Sequence, residues 1–220
     1  MDSLPRPAAV ICDLDGTLVD TVPTRITAWL RTFAEFGLAA DPDHVASLIG
    51  SDGRWLARQV ADRAGRPMGE EETEAVDRRA GELYGALNSD PRVLPGVTAF
   101  LDALDRVGLR WAIATSSRPD QVAASVQALR RAVPPSVVDG HAVARAKPAP
   151  DLLLAAAVAL GVDPTTCWCV GDLVWDMHAA RAAGMTAIGV TSGSASATDL
   201  ADAGAGLVVP RLDALVGAVG

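Results

Sequence analysis

The sequence predicts an α/β fold in which a central parallel sheet carries helices on both faces and a helical domain follows the first strand. From about residue 93 onward, short apolar segments alternate with helical patterns, which is typical of parallel strands joined by helices. Between about residues 20 and 90, apolar residues recur only at helical spacing. We therefore expect a Rossmann-like, three-layer core formed by residues 1–17 and 93–220, with an inserted α-helical cap domain at residues 18–92.

The first strand is predicted at residues 8–12, where an apolar run ends at two aspartates, Asp13 and Asp15, followed by a Gly-Thr turn. In open parallel sheets, ligands bind at the carboxyl ends of the strands, close to the point where the strand order reverses. The two carboxylates therefore stand where this fold is expected to place its binding site.

Four helices are predicted in the inserted segment. The first contains apolar residues at spacings of three and four between residues 26 and 36, and a glycine follows it. The next two are expected at residues 41–50 and 51–65, each with the signals of a helix end. The fourth, at residues 69–87, carries so many charged side chains that we expect it to be largely solvated.

Further strands of the core are predicted at residues 109–115, 136–140, 166–171, 186–191 and 206–210. Thr115 and Ser116 lie at the end of the first of these strands, and Asp172 and Asp176 follow the third. Lys147, in a loop that enters a helix, is the only lysine among the 19 basic residues. A compact ammonium suits a crowded site better than a guanidinium does, so Lys147 is a candidate for this same edge of the sheet.

Composition narrows the range of partners. The formal net charge of −8 argues against nucleic acid and membrane surfaces, because both would require a basic face. The first residues lack a signal-peptide pattern, and no segment approaches the roughly 18 apolar residues of a membrane span. The three cysteines are interpreted as small buried hydrophobes rather than disulfide or metal partners. We expect a cytoplasmic protein, a monomer or homodimer, that acts on a small molecule.

The expected cluster at the strand ends points to phosphoryl chemistry. Several carboxylates at one point repel each other unless a cation joins them, and Mg²⁺ takes carboxylate, water and phosphate oxygens as ligands. Hydroxyl and backbone N–H groups with one lysine suit an anion that has several oxygens. One carboxylate can then act as nucleophile while the other transfers protons.

Four segments, DLDGTLVD, AIATSS, AKPAP and VGDLVWD, occur in this order and resemble the motifs of the haloacid dehalogenase-like (HAD) superfamily. The resemblance covers essentially the whole chain and concerns the branch of phosphatases with a helical (C1-type) cap, to which phosphoglycolate phosphatases and β-phosphoglucomutase-like proteins belong. It implies a Mg²⁺-dependent phosphomonoester hydrolase that acts on a small phosphorylated metabolite through an aspartyl-phosphate intermediate.

The resemblance also implies roles for the four aspartates. Asp13 would be the nucleophile and Asp15 the general acid and base. Asp13, the backbone carbonyl of Asp15 and Asp172 would hold Mg²⁺. Asp176 would order either the water around the metal or the nearby lysine.

For the phosphoryl group, the resemblance implies that Thr115 and the backbone of Ser116 bind its oxygens and that Lys147 neutralises both nucleophile and phosphate. The chain departs from the family pattern after Asp172, where Leu173 and the bulky Trp175 occur. This departure leaves open how the loop around the metal is hydrogen bonded.

Other activities of the superfamily fit the residues of this chain less well than phosphatase activity does. Dehalogenases usually carry Tyr where this chain has Asp15, and phosphonate-cleaving relatives need a cap lysine, which is absent here. Sugar-phosphate mutases share the core but tend to have His where this chain has Arg25, and they also use a cap lysine. A mutase and a non-catalytic phosphate-binding or regulatory protein remain as alternatives to the phosphatase.

The cap is expected to select the substrate. Its candidate residues are Arg25 on the first cap helix, Gly50 and Ser51 in the following turn, and Arg54 just after that turn. Either arginine would suit a second anionic group on a small substrate. The identity of that substrate does not follow from these residues.

Overall fold

A computed structural model describes residues 4–220, and within them six parallel strands form one sheet in the order β3-β2-β1-β4-β5-β6. The strands are β1 (Ala9–Cys12), β2 (Arg110–Ala114), β3 (Ser136–Val138), β4 (Cys167–Gly171), β5 (Thr186–Val190) and β6 (Leu207–Val209). The predicted parallel sheet is therefore confirmed. The predicted core segment also included residues 1–3, which lie outside the described residues.

The described residues form ten α-helices and two short 3₁₀ helices. The α-helices are α1 (Val22–Glu35), α2 (Pro42–Leu48), α3 (Gly53–Arg63), α4 (Glu70–Leu87), α5 (Val97–Arg106), α6 (Pro119–Ala128), α7 (Asp151–Leu160), α8 (Val174–Ala182), α9 (Ala197–Asp202) and α10 (Val216–Val219). The 3₁₀ helices span Pro164–Thr166 and Leu212–Leu215. Over residues 4–220, no helix is long and apolar enough to cross a membrane.

Apolar side chains cover both faces of the sheet. Val10 and Val170 belong to the hydrophobic cluster on one face, which contains Phe100 of α5. Their neighbours Ile11 and Cys169 belong to the cluster on the opposite face, against α7 and α8. Because strand residues alternate between faces, two apolar faces require helices on both sides, and the three-layer core is confirmed. All three cysteines are buried and free, as interpreted.

Helices α1–α4 lie between β1 and the rest of the sheet in sequence and have a hydrophobic cluster of their own, which includes Phe33, Leu56 and Val76. The prediction that α4 is largely solvated is wrong. Most of its charged residues lie at the surface, but Val76, Ala80 and Tyr84 are buried, because they recur at the helical spacing of four on one face. The boundaries at 17/18 and 92/93 stay a prediction.

The two chain segments that join the helical insertion to the sheet run side by side. Val19 and Val93 form an isolated antiparallel bridge. The N–H of Asp20 donates to the carbonyl of Arg92 at 2.8 Å, and the N–H of Leu94 donates to the carbonyl of Leu18 at 3.0 Å. The insertion is therefore attached to the core by one paired double strand.

Contacts on the side away from this double strand hold the insertion against the core. Arg118, which precedes α6, pairs with Glu74 at 2.9 Å and with Asp77, both on α4. Trp175 of α8 meets Trp55 of α3 edge to face, with ring centroids 5.4 Å apart. Trp175, the bulky residue three positions after Asp172, therefore packs against the cap.

The buried face of α4 can be tested with two glycines one turn apart. At Gly85 an added Cβ meets no atom within 4 Å, so Gly85→Ala should stabilise the protein by about 0.5–1 kcal/mol through helix propensity. At Gly81 an added Cβ would collide with the side chain of Gln121 in α6, so Gly81→Ala should lose that gain. Urea denaturation of both variants measures the difference, and equal stabilisation would contradict the packing described here.

Candidate active site

The turn after β1 places two aspartates at the carboxyl edge of the sheet. The N–H of Asp13 donates to the carbonyl of Val170 at 2.8 Å, which extends the pairing of β1 with β4 by one residue. Gly16 follows with φ +85°, and a Cβ at this position would collide with the carboxylate of Asp172. Only glycine therefore allows the turn to approach that carboxylate so closely.

Three carboxylates converge at this edge, from the turn after β1, the loop after β4 and the first turn of α8. Oxygen atoms of Asp13, Asp172 and Asp176 lie within 4.8 Å of one another, and all three side chains are buried. Lys147 enters from the loop before α7, with its Nζ 2.5 Å from Asp13 Oδ1 and 2.7 Å from Asp176 Oδ1. The fold thus brings together four residues that are spread over more than 160 positions of the sequence.

Burial and the closeness of the charges shift the pKa values of the carboxyl groups in this cluster. Burial raises the pKa of the Asp13 carboxyl; Lys147 opposes this rise and the neighbouring carboxylates add to it, giving a pKa of about 7. Burial, followed by repulsion from Asp13 and Asp176, raises the pKa of Asp172 well above its usual range. One ammonium group therefore does not neutralise the cluster.

The donor set fits a hard divalent cation. Asp172 Oδ1 accepts a hydrogen bond from Thr17 Oγ1 at 2.6 Å, whereas its Oδ2 is buried and has no hydrogen-bond partner in residues 4–220. Asp176 Oδ2 accepts from the N–H of Leu173 at 3.1 Å, which holds the loop between β4 and α8 in place. A buried carboxylate oxygen without a partner, in an all-oxygen cluster, is the arrangement that Mg²⁺ would satisfy.

The loop after β2 offers groups for an anion. Thr115 continues the strand, since its N–H donates to the carbonyl of Val138 at 3.0 Å. Its hydroxyl accepts from the N–H of Ser117 at 3.2 Å, which shapes the turn. The hydroxyl of Ser116 is buried and, in the described part of the chain, has no hydrogen-bond partner. It is therefore available to a bound phosphoryl oxygen.

Asp15 turns away from the carboxylate cluster and toward the cap. Its Oδ1 accepts hydrogen bonds from Thr21 Oγ1 at 2.5 Å and Tyr84 Oη at 3.0 Å. Its Oδ2 accepts from Arg25 Nη2 at 2.7 Å and Ser117 Oγ at 3.0 Å. Burial alone would raise the pKa of Asp15, but the charge and hydrogen bonds of Arg25, with the hydroxyl donors, hold it below its usual value.

A small cavity of about 50 Å³ joins these groups. It is lined by Asp13, Asp15, Thr115 and Ser116 of the core and by Arg25, Gly50 and Ser51 of the cap. Pockets for small ligands usually measure roughly 300–1,000 Å³, so the cap lies closed over the site. The predicted cap residues Arg25, Gly50 and Ser51 thus reach the cavity.

Arg54 does not reach this cavity. Its side chain is 49% exposed and pairs with Asp52 at 3.4 Å. At the start of α3, Asp52 accepts a hydrogen bond from the N–H of Trp55 at 3.0 Å. This capping contact fixes the first turn of the helix, in which Arg54 faces outward. Arg54 lines an outer groove instead.

Several residues of the site were not singled out by the sequence. Thr17 and Thr21 bind the carboxylates of Asp172 and Asp15, and both lie within a few residues of the first motif, which is a usable signal. Tyr84 is the only tyrosine of the chain, but it stands on a helix whose charges suggested a solvated face. Gln121, which accepts from Arg25 Nη1 at 3.3 Å, carries no signal in the sequence.

Comparisons with known proteins show which family the chain belongs to. The family of haloacid dehalogenase-like hydrolases matches residues 7–184, which include all four aspartates and the lysine. A phosphoglycolate phosphatase of Cupriavidus necator is 38% identical over 213 residues, covering 94% of this chain and 90% of its own. A fructose-1-phosphate phosphatase of Escherichia coli is 32% identical over 190 residues, covering 84% of this chain and 97% of its own.

Among solved structures, that of a hydrolase from Pseudomonas syringae superposes with a TM-score of 0.90 at 31% identity, covering 95% of this chain and 96% of that one. The fold, the motifs and the curated relatives support a phosphatase over the mutase and the non-catalytic alternative. The chain belongs to the haloacid dehalogenase-like hydrolases and is a phosphatase of that family.

Proposed function

We propose that this phosphatase is Mg²⁺-dependent and hydrolyses a small phosphomonoester by transferring its phosphoryl group first to Asp13 and then to water. The observation that carries the proposal is the buried cluster at the sheet edge. There Asp13 Oδ1 lies 2.5 Å from Lys147 Nζ, and Asp172 Oδ2 has no partner within residues 4–220. Beside it, Thr115 and Ser116 offer groups for the phosphoryl oxygens.

We assign the metal to Asp13, Asp172 and the backbone carbonyl of Asp15. The carboxylate of Asp15 is engaged by four donors and is therefore not assigned as a ligand. Bound Mg²⁺ would stabilise the negative charge that the nucleophile and the phosphoryl group bring together. Asp176, ion-paired with Lys147 at 2.7 Å, holds the ammonium in place rather than binding the metal.

In the first step, an Asp13 oxygen forms a bond to phosphorus as the ester P–O bond breaks. Lys147 directs Asp13 through its ion pair and also neutralises the incoming phosphoryl group. Asp15 gives its proton to the departing oxygen, so the product leaves as an alcohol. The phosphoryl group is then held as an acyl phosphate on Asp13.

In the second step, Asp15 acts as the base. It removes a proton from a water molecule whose oxygen forms a bond to phosphorus, and the bond between phosphorus and the Asp13 oxygen breaks. Inorganic phosphate leaves, the Asp13 carboxylate is restored and Asp15 again carries its proton. The hydrogen bonds that lower the pKa of Asp15 favour the carboxylate form that begins this step and oppose the protonated form that begins the first step.

We propose a small substrate with a second anionic group. The closed cavity is only about 50 Å³, which disfavours a large leaving group. The side chain of Arg25 lines it and is 11% exposed, and its buried Nε has no acceptor in the described chain. A carboxylate or second phosphate of the substrate would supply that acceptor. Phosphoglycolate, the substrate in the name of one relative, has this chemistry.

The cytoplasmic location and the monomeric or homodimeric state expected from the sequence remain proposals. Cell fractionation with an antibody to the chain tests the first. Light scattering of the purified protein tests the second, and a mass above that of two chains would contradict it.

The activity is tested by phosphate release from phosphoglycolate, fructose 1-phosphate and other small phosphomonoesters, with Mg²⁺ and with EDTA. We expect release with Mg²⁺ alone and none from Asp13→Asn, because an amide cannot form the acyl phosphate. The exposed control Asp202→Asn should behave as the native chain does. A native chain that binds Mg²⁺ and phosphate but releases nothing would contradict the proposal.

The metal assignment is tested without activity by thermal unfolding of Asp172→Asn. The variant keeps the acceptor for Thr17 but removes a buried, repelled charge. Without metal, we expect its melting temperature to rise by about 2–4 °C, the change that 1 kcal/mol produces in a chain of this size. Mg²⁺ should stabilise the native chain and not the variant, whereas equal stabilisation of both would argue against the assignment.

The role of Arg25 is tested by comparing phosphoglycolate with ethyl phosphate, which has no second anionic group. Loss of a charged hydrogen bond costs about 1.5–3 kcal/mol, so Arg25→Met should lower kcat/KM for phosphoglycolate roughly 10- to 100-fold more than for ethyl phosphate. Arg31→Met, on the exposed face of the same helix, is the matched control. Equal losses on both esters would show that Arg25 does not bind the second anionic group of the substrate.

A further inference from the structure

Tyr84 joins the cap to the proposed acid and base. It is 1% exposed, and its Oη donates a hydrogen bond to Asp15 Oδ1 at 3.0 Å. Its ring lies under the guanidinium of Arg25, with 3.9 Å between the guanidinium carbon and the ring centroid. One side chain of α4 therefore contacts both Asp15 and the arginine that faces the cavity.

The phenol is itself held by a hydrogen-bond chain that crosses from the cap to the core. Asn88 follows the last residue of α4, where the chain returns to the sheet, and its Nδ2 donates to Tyr84 Oη at 2.8 Å. The same Nδ2 donates to Ser125 Oγ of α6 at 3.1 Å. Because Asn88 donates to the phenol oxygen, the phenol hydrogen is left for Asp15.

This hydrogen-bond chain joins the cap to the core. Tyr84 is a cap residue, whereas Asp15 and Ser125 belong to the core segments. Asn88 stands in the connection that a cap movement would bend. A purely packing role would not need the hydroxyl, yet it makes two hydrogen bonds in a buried environment, where an unmet polar group is costly.

We infer that Tyr84 is a positioning residue that aims the carboxyl of Asp15 at the departing oxygen of the substrate when the cap closes. The inference rests on the proposed phosphatase mechanism and adds to it a link between cap closure and proton delivery. It requires the hydroxyl of Tyr84, the amide of Asn88 and the closed cap together.

The test uses two leaving groups. An alkyl phosphate must receive a proton as its oxygen departs, whereas acetyl phosphate releases acetate, a stable anion that needs none. We compare the best alkyl phosphate of the panel with acetyl phosphate and measure kcat/KM, because this ratio reports the steps up to departure of the leaving group and not the later hydrolysis of the Asp13 phosphate.

For Tyr84→Phe, which keeps the ring under Arg25, we expect kcat/KM to fall at least about tenfold on the alkyl phosphate, a part of the 10²–10⁴-fold effect of acid catalysis. On acetyl phosphate we expect a change of less than about threefold. Asn88→Ala should show the same difference in kcat/KM between the two substrates. It serves as the second variant if Tyr84→Phe folds poorly. Equal losses on both substrates would overturn the positioning role while leaving the phosphatase intact.

A readout without turnover comes from Tyr84 being the only tyrosine. Labelling tyrosine with ¹³C at Cζ gives a single resonance, which should shift in Asp15→Asn and stay in place in Asp202→Asn. An unmoved resonance in Asp15→Asn would overturn the inference even in an active enzyme. If the native chain released phosphate from neither ester, the proposed function itself would fail, which is a different result from an equal loss in the variants.

Discussion

The ion pairs of Lys147 are the interaction on which the rest of the site depends. Its ammonium lies 2.5 Å from Asp13, in the turn after β1, and 2.7 Å from Asp176, in the first turn of α8, and Lys147 is 2% exposed. Three buried carboxylates within 4.8 Å of one another would repel strongly without a cation between them. A compact ammonium reaches between two of them, which the planar fork of arginine does less readily. This explains why a chain otherwise rich in arginine has one lysine here.

The structure divides the proposed chemistry between two bodies. The proposed nucleophile and the proposed phosphoryl-binding loop stand at strand ends of the core, and Lys147 reaches the nucleophile from the loop before α7. The proton-transfer group, Asp15, also belongs to the core but is oriented by Arg25 and Tyr84 of the cap. Leu173 and Trp175, next to the metal-site aspartate, pack beside Gly50 and Trp55 of the cap. In the proposed mechanism, the cap therefore contributes contacts to the acid and base, Asp15, whereas the ion pair of Asp13 lies within the core.

What the sequence predicted well were the groups fixed by local geometry. Asp13, Asp172 and Lys147 follow strands or enter helices, and parallel strands bring such positions to one edge. The sequence could not predict side-chain positions that depend on how the helices pack. Tyr84 is buried because α4 turns one face to the core, a choice that its many charges obscured. Arg54 faces outward because of the capping contact at the start of α3, which no spacing rule reveals.

In the proposed mechanism, Asp13 carries the phosphoryl group between the two steps. Reacting the enzyme with substrate, quenching with acid and reducing with borohydride converts an aspartyl phosphate to homoserine, which mass spectrometry of the peptides locates. We expect homoserine at position 13 in the native chain and none in Asp13→Asn. Rapid phosphate release with an unmodified Asp13, or with the label on another residue, would contradict it.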